Sequence, residues 1–273
     1  MFMPLGIPKP NIFAGLQPLR ANERLMDRSM QRLATGKMIN SGKDNPAGLI
    51  TGEQLKAAIR ALDAESRALE REASYLATKD GSLAATGDML VELRGLAVEA
   101  ANTGAMSEAE REALDIEAAS IVRAIEHTTG AAVFAGEKVF EGSLTSELGG
   151  VEVEEGGETT SYSLADVGRG VSLLDDAALV EQIAAQAISD LATMRSEIGA
   201  TIANEIEPRS RSINTEMINL TKAKSMIIDT DYAAETAALV RADLLTQASR
   251  FLVSLDSRNS SMALDLLAGA ARN

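Results

Sequence analysis

The sequence predicts a mainly α-helical protein, an elongated antiparallel helical bundle or coiled coil with a small β-hairpin region and terminal helices. Leucines recur every seven residues, at Leu55, Leu62, Leu69, Leu76, Leu83 and Leu90. This heptad pattern predicts a long helix with one narrow apolar face that needs a second helix beside it. Helical spacing resumes after Asp175, and the low aromatic content of 3%, without Trp, suits thin helical layers.

Composition excludes several classes of function. The chain carries 26 basic and 40 acidic residues, a net charge of −14, so a nucleic acid or an anionic membrane would repel it. No run of apolar residues approaches the length of a membrane span, and the N-terminus lacks a secretory signal pattern. The absence of Cys removes disulfides, thiolate nucleophiles and most zinc sites.

The first element is a helix at about 18–35. Pro4, Pro8, Pro10 and Pro18 favour an extended or irregular backbone from Met1 to Pro18, because proline lacks the N–H that a helix interior uses. Gly36 suits a C-cap. The turn-rich stretch 37–48 predicts a joint between helices, where Asp44 or Asn45 could cap the next helix and Pro46 would open it.

The leucine helix runs to about Asn102, which at about 1.5 Å per residue makes a rod on the order of 75 Å long. Ser107 and Glu110 match a capping box that opens a third helix ending near His127. Alternation of apolar and polar residues at 151–164, interrupted by Gly156 and Gly157, predicts two short strands joined by a turn.

Helical spacing from Asp175 predicts the partner of the leucine face within the same chain, from 179 to 227. Pro208 predicts a kink or a break in it. The last helix is expected at 232–256, with Leu239, Leu245, Leu252 and Leu255. The leucine face could instead pair with another molecule, but an antiparallel partner in the same chain makes the intramolecular core the preferred interpretation.

Catalytic patterns find little support. The single histidine, His127, has no partner in a two-histidine zinc motif, and no glycine-rich loop follows a strand. Asp229 and Asp231 could form a metal-binding pair, but two aspartates before an Ala-rich helix are more typical of caps. We therefore expect neither enzymatic activity nor a cofactor.

Two segments carry a recognisable pattern, Arg32–Gly48, RLATGKMINSGKDNPAG, and Asn219–Leu239, NLTKAKSMIIDTDYAAETAAL. They resemble the N-terminal and the C-terminal signature of bacterial flagellins. Leu96–Gly104 resembles the end of the first core helix and Phe134–Phe140 the entry into the hairpin. Leu244–Ala248, Asn259 and Leu264–Leu267 resemble the terminal helix. These blocks cover most of residues 19–267.

The resemblance implies a minimal flagellin with core domains only. It divides the chain into an N-terminal assembly segment, 1–40, a helical core rod, 41–231, whose hairpin region lies at about 133–173, and a C-terminal assembly helix, 232–273. The resemblance implies that the two terminal segments pair as helices on assembly. The implied function is a structural subunit that polymerises into the extracellular flagellar filament for swimming motility. It would be exported by the type III apparatus without a cleaved signal peptide, and its partners would be itself, the junction and cap proteins and an export chaperone.

Individual residues follow from the same resemblance. The assembly and signature positions are Asn40, Ser41, Asp44, Asn45, Gly48, Asp229, Asp231, Tyr232, Glu235, Leu245, Leu252, Asn259, Leu266 and Leu267. The region read by an innate Toll-like receptor in this family corresponds to Glu92, Arg94 and Leu96. Glu92 stands where many recognised members carry an arginine, which predicts weak receptor activation.

The chain also departs from the family pattern. Its four N-terminal prolines fall where members usually continue a helix, Ala268–Asn273 extends beyond the usual apolar ending, and Pro208 is unexpected in a core helix. An alternative function is therefore a minor hook–filament junction or accessory protein of the same flagellum that does not form long polymers.

Overall fold

The structure, a computed structural model, describes residues 12–102, 106–155 and 158–270. It confirms the mainly α fold with a small β region. The helices are α1 (Ile12–Thr35), α2 (Pro46–Ala100), α3 (Glu108–Ala131), α4 (Leu144–Glu147), α5 (Leu173–Thr201), α6 (Glu207–Ile228) and α7 (Tyr232–Ala270). The strands form two antiparallel hairpins, β1 (Val133–Phe134) with β2 (Glu137–Lys138) and β3 (Val151–Glu155) with β4 (Glu158–Tyr162).

The chain forms two compact units. Unit 1 contains residues 1–61 and 217–273, and unit 2 contains residues 62–216. The predicted division into terminal assembly segments and a core rod, with boundaries at residues 40 and 232, differs from these two units and stays a prediction.

In unit 2, α2 runs antiparallel to α5 and the start of α6, as the leucine face predicted. Ion pairs join Arg94 to Glu181 at 2.7 Å, Asp80 to Arg195 at 2.8 Å, and Glu65 to Arg209 at 2.6 Å. The heptad leucines are buried unequally. Leu83 and Leu90 are fully enclosed and Leu62 is 9% exposed, whereas the other three are half-buried.

The leucine face is enclosed best where α3 and the chain between α3 and α5 cover it. Ile125 of α3, Leu148 and Leu164 of the connecting chain, and Leu173 at the start of α5 join Leu90 in one apolar core. The predicted capping box is present, since the Ser107 hydroxyl accepts from the Glu110 amide and the Glu110 carboxylate accepts from the Ser107 amide. The predicted β3–β4 hairpin is confirmed, although its Gly156–Gly157 turn lies outside the described residues.

The prediction of an irregular chain up to Pro18 is wrong for residues 12–17. Helix α1 already begins at Ile12 and contains Pro18 in its interior. Pro18 is exposed, so water can satisfy the backbone carbonyl that proline leaves without an N–H donor. Pro4, Pro8 and Pro10 lie outside the described residues.

Of the kink or break expected at Pro208, the break is not observed. Residues Ile202–Ile206 form one turn of π-helix between α5 and α6, and the Glu207 amide donates to the Ile202 carbonyl five residues back. This wider turn changes the backbone spacing just before Pro208, where a regular α-helix would meet the proline ring. The helical path therefore continues through residue 208.

The sequence predicted the C-terminal ends of two helices too early in the chain. Helix α3 extends one turn beyond His127, and α7 extends from Tyr232 to Ala270 rather than to residue 256. The short β1–β2 hairpin was not anticipated. Within the described residues, no helix combines the length and the apolar character that crossing a membrane demands.

Candidate functional site: the joint and the terminal helices

The signature residues converge in unit 1 at a structure that we call the joint, formed by residues 36–45 and 229–231. Here two connecting segments run antiparallel. The Met38 amide donates to the Ile228 carbonyl at 2.7 Å, and the Thr230 amide donates to the Gly36 carbonyl at 3.0 Å. Lys37 and Asp229 face each other as an isolated β-bridge. The two signatures, far apart in sequence, therefore form one hydrogen-bonded element.

Asp44 organises the N-terminal half of the joint. Its carboxylate accepts from the Ser41 amide at 2.9 Å, from the Ser41 hydroxyl at 3.0 Å and from the Asn40 amide at 3.2 Å. The Ser41 hydroxyl, together with the Asn40 amide, lowers the pKa of Asp44 because these bonds favour the charged form. Asn45 caps α2 by accepting from the Gly48 amide at 2.9 Å, so of the two predicted caps Asn45 is the one observed.

Gly48 and Gly52 let two isoleucines approach α2 closely. A Cβ at Gly48 would lie 2.6 Å from the Ile39 side chain, and one at Gly52 would overlap Ile228. Ile39 and Ile228 are 4% and 8% exposed. Ile39 lies in the first connecting segment, and Ile228 ends α6 directly before the second. The absence of glycine side chains therefore lets both segments lie against the start of α2.

Asp231 is the helix cap that the sequence favoured. Its carboxylate accepts from the Ala233 amide at 2.9 Å and from the Ala234 amide at 3.1 Å, which satisfies two free amides at the start of α7. Asp229 contributes through its backbone in the bridge to Lys37, so the idea that both aspartates are side-chain caps holds only for Asp231. Tyr232 places its hydroxyl over Gly36, which has φ +68°.

Beyond the joint, α1 and α7 pack as an antiparallel pair. Arg32 bonds to Glu235 at 3.3 Å, Asn22 to Ser249 at 3.2 Å and Arg250 to Glu23 at 3.0 Å. The buried side chains along this contact are small, namely Ser29, Ala242, Thr246 and Ser249. We call Ala242, Thr246 and Ser249 the inner face of α7.

Large apolar side chains lie on the opposite side of α7. Counting 3.6 residues per turn, one stripe lies away from α1. We call it the outer face, and it consists of Val240, Leu244, Phe251, Leu255 and Met262. Their side chains are 53%, 61%, 64%, 39% and 61% exposed. A helix that buries its small residues and exposes its large apolar ones has an unpartnered surface in the single chain.

The remaining predicted positions are more scattered. Leu245 and Leu252 lie beside the outer face, 47% and 63% exposed, and Asn259 is exposed. The side chains of Leu266 and Leu267 lie outside those described. The three receptor-region residues are on α2 in unit 2, where Glu92 is exposed, Leu96 is half-buried and Arg94 is held by Glu181.

Sequence reasoning missed three sets of residues. It quoted Arg32 only as the start of a signature, although Arg32 forms the ion pair next to the joint. It did not single out Ile39, Gly52 and Ile228, whose packing depends on a close backbone approach that has no sequence motif. It overlooked the outer face, although Val240, Leu244, Phe251 and Leu255 already follow helical spacing on one side.

Taken together, the joint and the paired terminal helices define a class, that of mainly helical proteins whose N-terminal and C-terminal segments pair with each other. Comparison with known proteins agrees with this class. The model for the bacterial flagellin N-terminal helical region matches residues 13–145, and the model for the C-terminal helical region matches residues 182–267. The chain belongs to the bacterial flagellin family.

Relatives of similar length match almost throughout. Flagellin of Bacillus subtilis is 24% identical over 92% of this chain and 96% of that protein. The flagellar filament 30.7 kDa core protein of Treponema maltophilum is 24% identical over 91% and 94% of the two chains. The B-type flagellin of Pseudomonas aeruginosa is 34% identical, but over 46% of this chain and only 26% of that protein.

A crystal structure of Bacillus cereus flagellin, 21% identical, aligns over 63% of this chain and 94% of that one with a TM-score of 0.38. The family models and the full-length relatives identify a flagellin that consists of the core domains only. It is a structural protein that self-assembles and a subunit of the extracellular flagellar filament.

Proposed function

We propose that the chain polymerises into the filament used for swimming through its terminal segments, 1–40 and 232–273, with the outer face of α7 as the central contact. The observation that carries this proposal is the reversed burial on α7, where small residues face α1 and large apolar residues face solvent. A second copy of this chain is the occupant that membership of a self-assembling family favours. The joint holds α1 and α7 together for that contact.

The apolar energy available on α7 is considerable. Fully burying a Val, Leu, Phe or Met side chain is worth roughly 1.5–3 kcal/mol. Association must first offset lost rigid-body and side-chain freedom, which costs roughly 4–15 kcal/mol. Because these five side chains are on average about half exposed, burying them supplies roughly 4–8 kcal/mol. This gain is comparable to the cost of association, whereas that from one or two exposed residues would fall short of it.

Replacing Leu244 and Phe251 together by serine tests the outer face. We expect filaments to disappear at concentrations where the wild type polymerises, while circular dichroism and size in dilute solution stay unchanged, because both side chains are exposed in the single chain. Ile116→Ser is the control, since Ile116 is 61% exposed on α3 in unit 2. Normal filaments from the double variant would contradict the proposal.

Removing residues 232–273 tests the role of the C-terminal segment as a whole. We expect this truncation to abolish assembly and to leave a folded helical core, measured by sedimentation and by circular dichroism. Persistent polymerisation without α7 would rule out the proposed role of the termini.

Electron microscopy separates the proposed function from the accessory role. Long filaments from purified chain support a filament-forming flagellin. A species that stays soluble at high concentration and high salt would instead favour a junction or accessory protein, which shares the terminal signatures but does not form long polymers.

We also propose that the chain leaves the cell by flagellar type III export without a cleaved signal peptide, and that it binds an export chaperone and the junction and cap proteins. Family membership supports these partners. The exposed outer face supports the chaperone in particular, because an unpolymerised chain carries that apolar surface in water. Mass spectrometry of the secreted protein tests the signal peptide, and co-purification with the flagellar chaperone tests that contact.

Recognition by the Toll-like receptor is expected to be weak. Glu92 is an exposed carboxylate, and Arg94 is bonded to Glu181 at 2.7 Å. A receptor surface that binds an arginine at position 92 is complementary to a positive charge, so it would repel the Glu92 carboxylate. Glu92→Arg should raise the signal of a receptor reporter assay above that of the wild type, and strong signalling by the wild type would contradict the idea.

A further inference from the structure

We infer that the ion pair of Arg32 with Glu235, next to the joint, sets the register between α1 and α7. The proposed assembly surface depends on this register. This inference rests on the proposed function for its biological consequence. The register itself is a property of the single chain and is measured without assembly.

The contact between α1 and α7 is repetitive away from the joint. On α1, Leu19, Met26 and Leu33 recur every seven residues and are half-buried. On the facing side of α7 the buried residues Ala242, Thr246 and Ser249 are small, and Leu239 and Val253 are half-buried. A shift of seven residues would bring a similar α1 side chain to each of these positions, and packing distinguishes the two registers only where the side chains differ in size or polarity.

Polar contacts along the pair differ in how well they resist such a shift. Thr246 is buried, but its hydroxyl donates to the Ala242 carbonyl of its own helix, so it marks no position on α1. The ion pair of Arg250 with Glu23 is 62% and 38% exposed, and water compensates such a pair readily. The ion pair of Arg32 with Glu235 is 25% and 13% exposed, the least exposed in the part of the chain that the structure describes.

A shift of seven residues would place Arg32 opposite Ala242 instead of Glu235. Ala242 is 5% exposed and offers no acceptor side chain. A guanidinium and a carboxylate that are both partly buried without partners are unfavourable. The ion pair thus penalises the slipped register, as buried polar groups do in coiled coils. The backbone bond from Thr230 to Gly36 lies next to the pair and holds the same end.

Disulfide competition measures the register directly, because the chain has no cysteine of its own. A full-length variant with Asn22→Cys, Ser29→Cys and Ser249→Cys lets residue 249 join either of two residues on α1. In the structure Asn22 bonds to Ser249 at 3.2 Å, whereas Ser29 lies seven residues away, about 10 Å along the helix. After mild oxidation of dilute chain, mass spectrometry gives the ratio of the two disulfides.

We expect the 22–249 disulfide to dominate. Adding Arg32→Gln and Glu235→Gln should raise the share of the 29–249 disulfide about tenfold, the effect of losing one charge-assisted hydrogen bond. Exchanging the two charges, Arg32→Glu with Glu235→Arg, should restore the original ratio. Glu23→Gln, which removes the exposed ion pair on the same helices, should leave the ratio unchanged.

An unchanged ratio in the Arg32→Gln, Glu235→Gln variant would overturn the inference, as would equal amounts of both disulfides in the starting variant. Failure to recover the ratio on charge exchange would also count against it. Polymerisation is assayed separately on the cysteine-free chains. Suppose that the Leu244, Phe251 variant loses its filaments but the Arg32→Gln, Glu235→Gln variant keeps the original disulfide ratio. The proposed function would then stand, and only the register inference would be rejected.

Discussion

The two units place their apolar residues in opposite ways. In unit 2, α3 and the hairpin region cover α2 and α5, so Leu83, Leu90 and Ile183 have no exposed surface. In unit 1, α7 buries Ala242, Thr246 and Ser249 and exposes Leu244 and Phe251. Unit 2 thus encloses these large apolar side chains within the single chain, whereas unit 1 leaves large apolar side chains of α7 exposed.

Charge follows the same division. Unit 2 carries 30 of the 40 acidic residues and 11 of the 26 basic ones, so unit 1 is net positive. Like charges on unit 2 oppose close approach of two copies and keep the chain soluble. Like-charge repulsion between copies is therefore weaker at unit 1, which also carries the exposed apolar side chains of α7.

The strongest test of the comparison replaces a buried leucine and an exposed leucine, each by alanine, in separate variants. Leu90→Ala should lower the free energy of unfolding by about 2–5 kcal/mol, because it leaves a cavity in the core. Leu244→Ala should change it by less than about 0.5 kcal/mol in dilute solution. Urea unfolding measures both.

Equal losses from the two substitutions would mean that Leu244 is already buried in the dilute chain. The comparison between the units would then fail.

The next largest effect is expected at Gly168. Its φ is +77°, and a Cβ there would lie 2.5 Å from the Ala119 Cβ on α3. Gly168→Ala should therefore destabilise unit 2 by about 1–3 kcal/mol. Gly170→Ala is the matched control, because no atom lies within 4 Å of its added Cβ. Thermal unfolding should show a lower midpoint for Gly168→Ala only, and equal midpoints would show that the loop adjusts freely.

A stabilising change is expected at Ala135. Ala135 and Gly136 form the turn between β1 and β2 with φ values of +53° and +92°, and a side chain makes positive φ unfavourable. Ala135→Gly should stabilise unit 2 by up to about 1 kcal/mol. A lower unfolding midpoint than wild type would mean that the greater freedom of glycine in the unfolded chain outweighs the relieved strain.

The smallest effect concerns Asp44 and pH. Its pKa is lowered in the folded chain by the Ser41 hydroxyl and the Asn40 amide. A lowered pKa contributes stability above the ordinary carboxyl value near 4, and this contribution is lost as pH falls through the folded pKa. The difference in urea midpoint between wild type and Asp44→Asn should be largest above about pH 5 and vanish in acid. A difference that does not change with pH would contradict the role of the charged form.

How far the sequence predicted the structure depends on the element. The leucine helix, the Ser107 capping box, the β3–β4 strands and the Asn45 and Asp231 caps rest on local patterns with a direct physical cause, and all are observed. Pro18 and Pro208 were misjudged, because solvent access and a π-turn are tertiary and backbone details that a residue type does not encode.

The candidate site shows the same limit. The signatures identified Asn40, Ser41, Asp44, Tyr232 and Glu235 without showing that they meet. Their meeting depends on Gly48 and Gly52 opposite Ile39 and Ile228, a fit that only the folded chain displays. The outer face of α7 could have been predicted from the helical spacing. The sequence prediction instead named leucines, among them Leu239, Leu245 and Leu252, which do not lie together on that side of the helix.

The π-turn at Ile202–Ile206 also has a consequence for counting residues. A π-turn holds about one residue more than an α-turn, so it rotates the following residues of α6 about the helix axis by roughly a quarter of a turn. The side of α6 on which Ile213 and Ile228 are buried is thus set by one residue of chain length between 202 and 206. Deleting one residue there would leave the amino-acid sequence of α6 itself unchanged, but it would turn the apolar side of α6 away from the residues against which it packs.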